Sequence, residues 1–98
     1  MDYKIRITCT PEGELDYSHP IVKLGNDDTV EWICDDGNYA LNFGWNTPFK
    51  KGRYQASIGE KIKPRRHPHA QHGQYKYLVA VSVDGNLWTD DPDVIIRP

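Results

Sequence analysis

Apolar and polar residues alternate along most of this chain with a period of two. In "YKIRITC", Tyr3, Ile5, Ile7 and Cys9 fall on one face and Lys4, Arg6 and Thr8 on the other, the pattern of a half-buried strand. "TVEWIC" places Val30, Trp32 and Cys34 inward and Thr29, Glu31 and Ile33 outward. "IVKL" predicts a short strand stopped by the turn-forming "GNDD", and "DDGN" a turn leading into the strand "YALNF". "RYQASI" and "KIK" predict short strands or edge segments. "QYKYLVAVSV" reads as the longest strand, followed by a turn at "DGN" and a last strand "DVIIRP".

The intervening segments read differently. "PEGELDYSHP" is a polar connection punctuated by Pro and Gly, "GWNTPFKKG" an irregular loop carrying two aromatics, and "PRRHPHAQHG" has two prolines and a glycine that exclude regular structure. No stretch shows capped, 3.6-residue periodicity. About seven short strands separated by turn signals predict an all-β Greek-key sandwich. The expected core is Ile5, Ile7, Val22, Val30, Trp32, Phe43, Tyr75, Tyr77, Val79, Val81 and Ile95. Ninety-eight residues predict one domain spanning residues 1–98. "MDYKIRITCT" has no apolar run of signal-peptide length and no stretch approaches a membrane span. The expectation is a cytoplasmic chain with no membrane partner.

Charge adds one feature that the pattern does not. Between Lys50 and Arg66, seven cations (Lys50, Lys51, Arg53, Lys61, Lys63, Arg65, Arg66) stand against one acid, Glu60, a net +6 in a chain whose total is −2. This density exceeds what protecting edge strands from aggregation requires and predicts a surface for an acidic protein or a polyanion. Stacking of a single strand beside it would need an exposed aromatic, for which Tyr54 and Trp45 are the nearby options.

Three segments in order resemble the cupredoxin family: "VKLGNDDTVEWIC", "DGNYALNF" and "GQYKYLVAV…DPDVIIRP", together covering about residues 21 to 98. The resemblance implies a Greek-key sandwich whose metal-bearing members hold copper with a Cys thiolate, two His and a weak axial ligand. On that resemblance the first histidine falls at about Tyr39 and the thiolate near Val79. The following loop, "AVSVDGNLWTDDP", has neither His nor Met. The resemblance therefore implies a member without the type 1 copper ligands and without a cofactor, Tyr39 and Val79 filling the pocket.

Other chemistry is sparse. His67, His69 and His72 in "HPHAQH" are the alternative metal candidates, spaced to collect a transition ion but with no carboxylate or thiol nearby in sequence. Cys9 and Cys34 share inward parity and read as buried thiols or, if their strands are neighbours, a disulfide. Trp45 and Trp88, in loop-like contexts, offer a sugar platform or caps on the sandwich ends. Ser18-His19 lacks a nucleophile-elbow context, and the acids around Pro92 and before Gly37 are explained by turns. The expectation is a non-catalytic binding or accessory module that uses its basic surface, with sheet-edge pairing as a second route to a partner or to self-association.

Overall fold

The computed structural model describes residues 1–97, and among them there is no helix. Eleven strands are formed: β1 (Asp2–Cys9), β2 (Leu15–Tyr17), β3 (Ile21–Leu24), β4 (Thr29–Cys34), β5 (Asn38–Asn42), β6 (Arg53–Ala56), β7 (Lys61–Ile62), β8 (Gly73–Lys76), β9 (Leu78–Val83), β10 (Asn86–Asp90) and β11 (Asp93–Ile96). They pair in the orders β2-β1-β4-β7, β10-β9-β5-β6 and β3-β11-β8. Two of the pairs, β1 with β4 and β3 with β11, are parallel. Neither can be closed by a hairpin, so the chain crosses between layers in the manner of a Greek-key sandwich.

The register explains the burial. Ile5 lies opposite Trp32, Leu41 opposite Val79 and Tyr39 opposite Val81, all inward, and the buried side chains of all three groups of strands meet in one cluster. Its centre is aromatic. Trp32 stands edge-on to Phe43, Phe49 and Tyr77, and Phe43 stacks on Tyr77 at 4.8 Å between ring centroids. The buried indole Nε1–H donates to the Tyr77 hydroxyl at 3.1 Å, so the one polar atom of Trp32 is satisfied inside the core.

The sequence pattern missed several features. There are eleven strands, not seven. "PEGELDYSHP" contains β2, which pairs with β1 and half-buries Leu15 and Tyr17; three residues are too few for alternation to show. "QYKYLVAVSV" is broken at Tyr77, where the chain passes from β8, paired with β11, to β9, paired with β5 and β10. The Tyr77 N–H donates to the Pro92 carbonyl instead of to a ladder. Inward parity is unbroken through Tyr75, Tyr77, Val79 and Val81, which is why the switch leaves no trace in the hydrophobic pattern.

Trp88 lies on a strand, β10, rather than in a loop. That strand is joined to β9 by Asp84 and Gly85, both at positive φ (50° and 81°), as a type I′ hairpin requires. Ile95 is not a core residue: β11 begins at Asp93, so Val94 and Ile96 point inward. The last strand ends at Ile96, so it stops short of Arg97, which the pattern had included, and Pro98 lies outside the described residues. Leu24, Leu41, Phe49 and Ile62 also belong to the core.

Two positions hold the frame under particular constraint. Gly37, buried before β5, sits so close to β9 that a Cβ there would run into the Ser82 carbonyl oxygen. Gly37→Ala is therefore expected to cost about 2 kcal/mol or more, read as a lowered urea midpoint at unchanged m-value. Asp28, in the β3–β4 turn, accepts from the Gly25 N–H (2.7 Å), the N-terminal ammonium (3.0 Å) and Arg97 (3.2 Å), joining both ends of the chain to one turn. The Gly25 hydrogen bond and then the ammonium hold its carboxyl below the ordinary 3.8. A depressed folded-state value stabilises fully above the unfolded value and is lost as pH falls through the folded one. Stability should accordingly fall below about pH 4, and Asp28→Asn should be less stable than wild type at pH 7 with a shallower acid limb, measured by urea unfolding at pH 7 and pH 3.

Candidate binding edge

At the two positions that the family resemblance assigns to copper ligands, no donor is free. Val79 is completely buried, and its isopropyl group has no lone pair to offer. Tyr39 is also buried, and its hydroxyl lies 2.9 Å from the Trp32 carbonyl and 2.6 Å from the Glu60 carbonyl. One proton shared between two carbonyls ties β5 to β4 and to the β6–β7 turn. Burial pushes the Tyr39 phenol well above its ordinary range, so it stays neutral and cannot serve as a phenolate. After Val79 the chain continues directly into the β9–β10 hairpin, where the resemblance had placed a ligand loop.

The thiols do not compensate. Cys9 and Cys34 are both unbridged, on β1 and β4. Desolvation pushes both thiols up, with mutual repulsion adding at Cys9, so neither is a ready thiolate. In parallel register Cys34 lies opposite Ile7, leaving Cys9 two residues further along. The residues present do not fit a type 1 copper set of thiolate and two imidazoles.

The three histidines are exposed in a turn. His67 and His69 have ring centroids 5.8 Å apart, and the His67 Nδ1 accepts from the His69 N–H at 3.1 Å, which occupies one of the two nitrogens of that ring. Among the described residues, no group of three or more His, Cys, Asp or Glu side chains is placed to hold a metal ion, so His72 does not join the other two.

The basic run is brought together by the fold. β6 and β7 are the edge strands of their sheets and lie beside each other. The chain runs up β6 from Arg53, turns at Ser57–Glu60 and returns through Lys61 and Lys63 to Arg65. There the Arg65 carbonyl accepts from the Lys50 N–H at 3.0 Å, next to an antiparallel bridge between Phe49 and Arg66. Residues far apart in sequence are thus laced side by side.

Not all seven cations are free. Lys61 pairs with Glu31 at 3.5 Å, and the Arg66 guanidinium donates to the Gly25 carbonyl at 2.6 Å. For Lys50, Lys51, Arg53, Lys63 and Arg65, no carboxylate lies within 4.0 Å among the described residues. Lys63 and Arg65 also line a cleft of about 600 Å³ that reaches Asp27 and Asp28. The opposite edge of the molecule, at β2 and β10, carries the exposed acids Glu12, Glu14, Asp16, Asp84 and Asp90. The charge asymmetry of the sequence is therefore a real polarity in space.

The two candidate tryptophans are separate. Trp88 packs over Gly13, where a Cβ would meet the indole ring, and is half-buried on β10. Trp45 is fully exposed, three residues past the end of β5, and does not cap the sandwich. They form no paired platform for a sugar, and Phe49, the other aromatic of that loop, supplies the cap instead.

Comparison with solved structures agrees with this architecture. A purple cupredoxin from Nitrosopumilus maritimus superposes with a TM-score of 0.62 over 98% of this chain and 100% of its own, at 16% identity. A pseudoazurin from Sinorhizobium meliltoi gives a TM-score of 0.50 at 14% identity, over 100% of this chain and 76% of its own. The fold is cupredoxin-like. No family model and no curated protein sequence matches the chain. At these identities the shared property is the sandwich, and what this cupredoxin-like chain does has to be argued from its own residues.

At Tyr39, which the family resemblance aligns with a copper ligand, Tyr39→Phe should remove the hydroxyl while leaving the ring in place. A loss of about 1–2 kcal/mol of unfolding free energy is expected, because the buried Trp32 carbonyl forfeits a donor. Equilibrium urea unfolding of the variant and the wild type provides the measurement.

Proposed function

We propose that this protein is a non-catalytic, cupredoxin-like binding module without a type 1 copper site, and that it contacts an acidic or polyanionic partner through the β6–β7 edge. The observation that carries this reading is the set of five cations (Lys50, Lys51, Arg53, Lys63 and Arg65) on or flanking the adjacent β6 and β7 strands, none with a carboxylate within 4.0 Å among the described residues. Like charges gathered this way repel one another, and a structure that keeps them together gains from a ligand that neutralises them. The reading is further supported by the run from Gly37 to Gly59, which contains no acid at all.

The copper-free half of the reading rests on donor chemistry. Tyr39 and Val79 contribute packing and a hydrogen bond to two carbonyls, where a thiolate and an imidazole would be needed for a soft trigonal site. Titration of the protein with Cu²⁺ should leave it without the intense thiolate-to-copper colour. An intense blue or purple band of stoichiometric strength would overturn the assignment.

The binding half predicts a steep salt dependence. Affinity for heparin or poly-glutamate should fall by an order of magnitude or more between about 50 and 200 mM salt. The triple variant Lys50→Glu, Lys51→Glu, Arg53→Glu should abolish most of it without changing the circular dichroism spectrum, since all three side chains are exposed. Absent or salt-independent binding would refute the basic edge as a contact surface.

A further inference from the structure

Trp45 has no structural task. Its indole is fully exposed, although the loop that carries it is firmly held. Pro48 and Phe49 are buried, with Phe49 edge-on to Trp32 and Phe43. The Thr47 hydroxyl donates to the Lys51 carbonyl at 2.9 Å and accepts from the Phe49 N–H at 3.1 Å. The Asn42 side chain accepts from the Gly44 N–H at 2.9 Å, and the Phe43 N–H donates to the Gly52 carbonyl at 2.6 Å. Gly44, at φ +67°, lets the chain bend outward just before the tryptophan. An aromatic ring is thus presented to solvent on a preorganised loop, which lowers the ordering cost of anything that binds it.

The loop also runs beside part of the basic segment. The Gly44 carbonyl abuts Gly52 so closely that no Cβ would fit there, which sets the residue before Trp45 against the backbone between Lys51 and Arg53. Arg53 lies opposite Asn42 in register, at the same end of β6, and Lys50 is laced to Arg65. Tyr54, the other aromatic at this edge, is half-buried and its hydroxyl accepts from the Lys51 N–H at 3.1 Å, so it supports the loop and is less exposed than Trp45.

We propose that the β6–β7 edge takes single-stranded nucleic acid, with one unpaired base stacked on Trp45 and the neighbouring phosphates on Lys50, Lys51, Arg53, Lys63 and Arg65. This rests on the reading of that edge as the contact surface and names its partner class. An acidic protein segment would use the cations and leave the indole idle, whereas a nucleotide uses both, its phosphate and its π-face. A duplex hides its base faces, and the edge has no helix or protruding ribbon to enter a groove. A lipid surface would need a broader apolar contact. The other exposed large apolar side chains are dispersed, with Met1 before β1, Ile58 in the turn at the far end of β6, Ile21 on β3 and Leu87 on β10, leaving Leu78 alone near the tryptophan's end.

The test uses the intact chain and a fluorescein-labelled oligothymidylate of about ten nucleotides, read by anisotropy. Five phosphate contacts on a single strand predict a slope of about −3.5 in log K against log salt. Trp45→Ala should weaken binding about tenfold to a hundredfold while leaving that slope unchanged, and Trp45→Phe should retain most of the affinity. Lys50→Glu with Lys51→Glu should flatten the slope. Poly-glutamate binding should be insensitive to Trp45→Ala, and the matching duplex should bind more weakly than the single strand. If Trp45→Ala binds the oligonucleotide like wild type, stacking is wrong although the basic edge survives; if no polyanion binds at all, both readings fall. Tighter binding to the duplex, or to phosphatidylserine vesicles in preference to the oligonucleotide, would also overturn the proposal.

Discussion

The hydrogen bond from the Trp32 Nε1–H to the Tyr77 hydroxyl, and the aromatic rings packed around it, is the interaction on which the rest of this structure depends. Trp32 belongs to β4 in one sheet, while Tyr77 marks the point where the chain leaves β8 for β9. Phe43 follows β5, and Phe49 anchors the loop beyond it. Edge-to-face and stacked contacts of this kind each contribute about 0.5–1.5 kcal/mol beyond the area they bury. Their larger effect is on specificity, because a single indole with one donor and a single phenol with one acceptor fix how three groups of strands meet. Burial keeps the Tyr77 phenol neutral, its value pushed up chiefly by desolvation, so the link holds across the ordinary pH range.

From this centre the two functional readings follow in opposite directions. Toward β5 and β9, the cluster extends into Tyr39, Val79 and Val81, filling with carbon and one shared hydroxyl the place to which the family resemblance assigns a metal. Val79 makes the difference plain: an apolar group at full burial adds about 1.5–3 kcal/mol by leaving water, which a vacant ligand set could not do. Toward the loop, Phe49 converts the same core energy into rigidity at the surface. Trp45 can be held out in water only because Pro48 and Phe49, three and four residues on, are held in.

How much of this was legible in the sequence depends on the length of the element and on which faces it buries. β1 and β4 were readable because each has a wet face and a dry face, so alternation marks both the strand and the inward residues, Ile5 to Trp32. β2 and β10 were not, being short edge strands held by backbone pairing, where side chains carry little signal. The register of β11 turned on one residue: "DVII" offers two apolar parities, and only its pairing with β3 and β8 selects Val94 and Ile96 over Ile95. At the candidate site, the excess of cations was visible but its partition was not. That Lys61 and Arg66 are used internally depends on Glu31 and on the Gly25 carbonyl, thirty and forty-one residues away. The exposure of Trp45 was equally hidden, because "GWNTPF" places two aromatics in one loop and only the fold decides which of them is the anchor.

Positive charge on an edge strand has an ordinary use, since lysines and arginines there prevent another chain from adding to the sheet. β6 and β7 are edges, and Arg53 and Lys61 serve that end wherever they also serve another. Edge protection, however, asks for charge on the strand itself and for nothing apolar near it. Lys50, Lys51, Lys63 and Arg65 lie off the strands, in the two segments that the Lys50–Arg65 hydrogen bond brings together, and the loop leading into the first of them holds an indole in full contact with water. Protection alone would place a polar residue at position 45, because an exposed tryptophan invites the association that the charges prevent. The combination is economical only if the association is wanted and the charges select it. A ligand with negative charge and a flat apolar face satisfies both groups at once, while the same edge of a second copy, presenting the same cations, is repelled.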